Sequence, residues 1–131
     1  MSKHSRSVLI IAHDDAERSY ATEVLGASGY DVTTTSSGPT ALASYDASLP
    51  DMIILALLPD DSFEVLQHLR EVSDVPVVVL ATAQHQVGAL LAGADDCVIR
   101  PLNDVSLRCR VGMVERRVFG RTVQLDLDRP L

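Results

Sequence analysis

Met52-Ile53-Ile54-Leu55-Ala56-Leu57-Leu58-Pro59 is apolar at every position up to the proline. A half-buried strand would alternate apolar and polar residues. An unbroken apolar run this short, entered through Pro50-Asp51 and left through Pro59-Asp60, reads as a strand buried on both faces. Outward from it, Val8-Leu9-Ile10-Ile11 and Val77-Val78-Val79-Leu80 have the same character. Asp31-Val32-Thr33-Thr34-Thr35 is more polar and suits a sheet edge, and Cys97-Val98-Ile99 is a short fifth run. The predicted strands are therefore Val8–Ala12, Asp31–Thr35, Met52–Leu57, Val77–Ala81 and Cys97–Ile99.

Segments of helical period separate these runs. Asp14 or Asp15 caps a first helix with Ala16, Tyr20, Val24 and Ala27 on one face, ended by Gly29. A second starts near Gly38-Pro39 and turns Leu42, Tyr45 and Leu49 inward. Asp60, Asp61 or Ser62 caps a third, whose buried stripe is Val65, Leu66, Leu69 and Val72. A short fourth covers about 84–92, and Asn103 caps a fifth lined by Leu107, Val111, Val114 and Val118. Strict alternation of this kind specifies an α/β fold, a doubly wound five-stranded parallel sheet with five helices. Sites in such sheets lie beyond the carboxyl ends of the strands, here Ala12 to Asp15, Ala56 to Asp61, Ala81 to Gln84 and Arg100-Pro101.

Composition narrows the function. The 131 residues are 47% hydrophobic and 22% charged, as in an ordinary globular domain, and no apolar stretch approaches the length of a membrane span. No membrane partner and a cytoplasmic location are expected. A net charge of −7 argues against direct grip on a nucleic-acid backbone, although Arg108, Arg110, Arg116, Arg117 and Arg121 make the C-terminal segment basic. Cys97 and Cys109 lack metal-ligand spacing and read as free thiols.

From Val8 to about Arg117 the chain resembles the response-regulator receiver family, of flavodoxin-like fold. The matching segments are Pro50-Asp51-Met52-Ile53-Ile54-Leu55, Phe63-Glu64-Val65-Leu66, Val75-Pro76-Val77-Val78-Val79-Leu80 and Ala92-Gly93-Ala94-Asp95-Asp96, followed by Arg100-Pro101. The resemblance implies a magnesium ion held by acids after the first strand, an acceptor aspartate ending the third, a hydroxyl after the fourth and a lysine after the fifth. It also implies an aromatic switch on the fifth strand. On this chain those positions fall on Ala12 and His13, on Ala56, on Ala81 (with Thr82 adjacent), on Arg100 and on Cys97. The loop after the third strand and the fourth helix are shorter than the family's usual pattern. Asp14 and Asp15 remain as residual acids that hold a divalent cation weakly at best, because magnesium demands near-octahedral oxygen geometry. Asp60 and Asp61 read as helix caps rather than a relocated acceptor, and His13 as a surface residue rather than a metal ligand. No catalytic residue, metal or cofactor is expected, and the protein is not expected to be an enzyme. Arg100 is expected to bridge to Asp14 or Asp15, tying the first and fifth strand ends without a phosphoryl group.

The resemblance is to the OmpR/PhoB subfamily, whose members pair through the face of the fourth helix, fifth strand and fifth helix. The implied homodimer interface is Leu90, Leu91, Asp96, Val98, Val105 and Arg110, with Asp96 of one copy meeting Arg110 of the other. Residues 1–119 form an atypical receiver. Residues 120–131 resemble a linker and, from Thr122 to Leu127, the opening strand of a winged-helix effector through which DNA would be bound, or else a free tail. Three functions stay open: a dimerising regulatory module of a transcription factor working without phosphorylation, a sensor or stand-alone module binding a small molecule or protein, and a conventional receiver in which Thr82 and Asp14 keep the usual roles. The first is the main expectation.

Overall fold

The computed structural model describes residues 6–36, 41–57 and 63–128, with the side chains of 41, 42 and 121–128 left aside. In it β1 (Ser7–Ile11), β2 (Asp31–Thr35), β3 (Met52–Ala56), β4 (Val77–Ala81) and β5 (Asp96–Ile99) alternate with α1 (Asp15–Ala27), α2 (Ala41–Ser48), α3 (Glu64–Val72), α4 (Gln86–Leu91) and α5 (Asp104–Asp128). A short 3-10 turn, Ala83–His85, leads into α4. All strand pairs are parallel, in the order β2-β1-β3-β4-β5. The polar second run is indeed an edge.

The core is two layers divided by the sheet. Because side chains alternate along a strand, Leu9, Ile11, Ile53, Leu55, Val77 and Val79 pack against Leu66 and Leu69 of α3 and Ala89 of α4. Their neighbours Val8, Ile10, Met52, Ile54, Val78, Leu80 and Val98 meet Ala21 and Leu25 of α1 and Leu107, Val111 and Val114 of α5. This burial on both faces explains why three strands are apolar at successive positions.

Several helix faces differ from the expectation. On α1 the buried pair is Ala21 and Leu25, while Ala16 and Ala27 are exposed. Arg18, one turn in, donates to the carbonyl of Ala12 at 2.9 Å. Leu49 is exposed at φ 44, since α2 stops before it at Ser48. Val72, the last residue of α3, and Val118 are 61% and 43% exposed rather than buried in the core. Residues 122–127 are helical rather than a strand: α5 continues to Asp128, with no proline before Pro130 to stop it. The Gly38-Pro39 start of α2, the side chain of Leu42 and the capping residues Asp60, Asp61 and Ser62 lie outside the described set. Asn103 does cap α5, accepting from the Ser106 N–H at 2.8 Å. Cys97 is buried and Cys109 exposed, both free.

Candidate functional site at the carboxyl ends of the strands

Backbone bonds hold the strand ends in register: Ala12 N–H donates to Thr35 (3.0 Å), Leu57 N–H to Leu80 (2.9 Å) and Arg100 N–H to Ala81 (2.8 Å). They gather His13, Asp14, Glu17, Ala56, Leu57, Thr82 and Arg100 around a cleft of about 450 Å³. Ala12 and Ala81 are buried and do not line it. Ala56, half-buried, presents a methyl group at the end of β3.

Each acid near the cleft is already engaged. Asp14 caps α1, its Oδ2 accepting from the Glu17 N–H at 2.7 Å. Asp15 points to solvent and pairs with Arg18 at 2.6 Å. Glu17, absent from the expected site, is the main acid here. Its carboxylate takes two parallel bonds from Arg100, from Nε at 2.8 Å and from Nη2 at 2.9 Å. Nη2 also donates to the Leu57 carbonyl at 2.8 Å. The expected partner of Arg100, Asp14 or Asp15, is thereby corrected to Glu17, one helical turn further along α1. The cap requires Asp14 to face the helix start, and the fork of Arg100 suits a bidentate carboxylate at that distance. The bond to Glu17, opposed in part by burial, holds the Arg100 guanidinium even more firmly protonated than usual.

The Arg100-Pro101 peptide is cis. Thr82 is exposed at the rim, its hydroxyl 2.9 Å from His85 Nδ1. Cys97, at the family's aromatic position, is buried, and desolvation followed by the nearby Asp96 carboxylate pushes its thiol up. It is a packed neutral thiol.

The divalent cation implied by the receiver resemblance can be tested on these donors. Ala56 has no oxygen, Asp14 is committed to the cap, and Glu17 is held by Arg100. Among the described residues no group of His, Cys, Asp or Glu side chains is assembled that could hold a metal ion. The donor set does not fit magnesium, which needs several oxygens in near-ideal geometry.

The family whose description is Response regulator receiver domain matches residues 8–112. The chain belongs to the response regulator receiver family. A relative, the "Probable transcriptional regulator ycf27" of Porphyra purpurea, is 30% identical over 97% of this chain and 54% of that protein. The "Transcriptional regulatory protein AfsQ1" of Streptomyces coelicolor is 33% identical over 85% of this chain and 52% of that one. This chain spans about half the length of these curated relatives. Among solved structures, a putative response regulator from Chloroflexus aurantiacus superposes with a TM-score of 0.78 at 27% identity, over 85% of this receiver and 98% of that chain.

The face of α4, β5 and α5 is a second candidate surface. Leu90 and Leu91 are exposed on it (43% and 84%), joined by Val87 and Met113. Val98 is corrected: it is wholly buried against α5, because β5 turns that side chain to the inner layer. Val105 is exposed on the first turn of α5. Asp96 and Arg110 pair within the chain at 3.2 Å. Arg117 reaches the Asp95 carbonyl beside them at 3.2 Å. No helix among the described residues is long and apolar enough to cross a membrane.

Proposed function

We propose that this receiver is the regulatory and dimerisation module of a two-component-type transcriptional regulator that acts without aspartyl phosphorylation. The observation that carries the reading is a pair of facts at the carboxyl ends of β3 and β5. Ala56 stands where the acceptor carboxylate belongs, and the cation that would neutralise a phosphoryl group, Arg100, is already neutralised by Glu17. That bridge links α1, the end of β3 and the end of β5. In phosphorylating receivers these parts are brought together through the phosphoryl group; here side chains do it permanently.

DNA contact is assigned to an effector domain beyond the receiver, in keeping with the acidic charge of this chain and with relatives that are named as transcriptional regulators and are about twice as long. The output surface is the α4-β5-α5 face, on which Leu91, Leu90, Val87 and Met113 provide apolar area and Asp96 and Arg110 the polar part. An exposed ion pair supplies only ~0–1 kcal/mol, so a homodimer here rests mainly on the leucines. The test is light scattering on a sizing column, with and without acetyl phosphate and magnesium. A dimer mass in both conditions, reduced to a monomer by Leu91→Glu, supports the proposal. A dimer that forms only with the donor contradicts it.

A further inference from the structure

The strand-end cleft, once denied to a phosphoryl group, still has a volume of about 450 Å³, within the range of pockets that enclose a drug-sized molecule. We propose that it binds a neutral, largely apolar small molecule, held by a carbonyl oxygen directed at Arg100. The deduction rests on the preceding reading of the site as closed to phosphoryl chemistry, and it follows from shape, donors and charge.

Ala56 and Leu57 are the apolar part of the lining, beside the more polar His13, Asp14, Glu17, Thr82 and Arg100. Arg100 spends Nε and Nη2 on Glu17 and Leu57. Its Nη1 makes no hydrogen bond to the described residues, which leaves two N–H donors for a ligand acceptor. Thr82 lies at the lip with its hydroxyl already beside His85. Formal charges exclude the other ligand classes. Asp14 and Glu17 outnumber Arg100, so an anion meets net negative charge and must displace Glu17 to reach the guanidinium. A cation is drawn by that charge but finds no uncommitted carboxylate, because Glu17 is held by Arg100 and Asp14 by its cap. A neutral carbonyl compound uses the free donors and leaves the bridge intact.

The test titrates the whole chain with matched bicyclic probes, followed by amide nitrogen–proton correlation spectra. Chromone supplies the ketone, naphthalene the same shape without an acceptor, and 1-naphthoate an anion. Saturable shifts at the Leu57, Thr82 and Arg100 amides are expected with chromone, and about tenfold weaker binding of the other two, the value of one hydrogen bond to a charged donor. Ala56→Leu adds bulk to the apolar part of the lining and is expected to abolish the shifts with an unchanged circular dichroism spectrum. Thr82→Leu, at the exposed lip, is expected to weaken binding should the first variant be poorly folded. No saturable shift at these amides, naphthoate binding as tightly as chromone, or chromone binding untouched by both substitutions would overturn the assignment. Incubation with a phosphodonor reports separately on the underlying reading of the site, so the two can fail independently.

Discussion

Glu17 and Arg100 stand 83 positions apart in sequence and meet through two bonds with largely shielded side chains, 14% and 26% exposed. Removing the carboxylate strands a charged fork that also holds Leu57. Glu17→Ala should therefore cost about 1–3 kcal/mol in urea unfolding. Ala56→Asp restores the acceptor carboxylate but neither its cation nor its metal ligands. Intact mass after incubation of that variant with acetyl phosphate and magnesium should show no added phosphoryl group. Tyr30 gives a pH signature at the opposite end of the molecule. Burial, then the 2.7 Å hydrogen bond it donates to Glu115, raises its phenol well above the ordinary value. The fold thus favours the protonated phenol. Its contribution is intact below about pH 10, where an unfolded tyrosine titrates, and is lost as pH rises through the folded value. Stability should fall above that pH in the parent, and Tyr30→Phe should lack that part of the decline.

Elements show what a sequence carries and what it hides. Strands were legible because burial on both faces forces apolar residues at successive positions, a pattern independent of any neighbour. The face of α1 was not, because its inward residues are the modest pair Ala21 and Leu25, while Ala16 and Ala27 are equally apolar and stay outside. Residues 122–127 alternate Val, Leu and Leu with polar partners, a strand period, yet extend α5 because the preceding turns already supply a helical nucleus. Ala56 and Arg100, the departures from the residues that the resemblance implies, stood plainly in the sequence. The sequence concealed Glu17, whose position after Asp14 reads locally as a helix cap and whose true partner is set by topology. At the other end, Gly93 has φ +114, and a Cβ there would lie 3.0 Å from Arg70, the residue that binds the Gly93 and Val75 carbonyls and Asp95. Gly93→Ala should destabilise by at least ~1–2 kcal/mol from backbone conformation alone, measured by thermal or urea unfolding.

At the scale of the whole molecule, one end of the sheet carries the Arg100–Glu17 bridge, and one flank carries the exposed Leu90 and Leu91. The two are joined by β5, which starts at Asp96 and ends just before Arg100, and by α5, which carries Arg110. Under the proposed function no reversible covalent group at the bridge resets that flank, so assembly should follow protein concentration rather than phosphodonor. Arg110→Glu, which sets an acid against Asp96, should lower the dimer population on dilution while changing fold stability by no more than ~1 kcal/mol. The central claim is the absence of the phosphorylation chemistry itself. Its most direct test is the intact mass of the unmodified receiver after incubation with acetyl phosphate and magnesium. The mass of the untreated chain is the predicted result, and gain of a phosphoryl group lost again on alkaline hydroxylamine treatment, as an acyl phosphate would be, is the result that contradicts it.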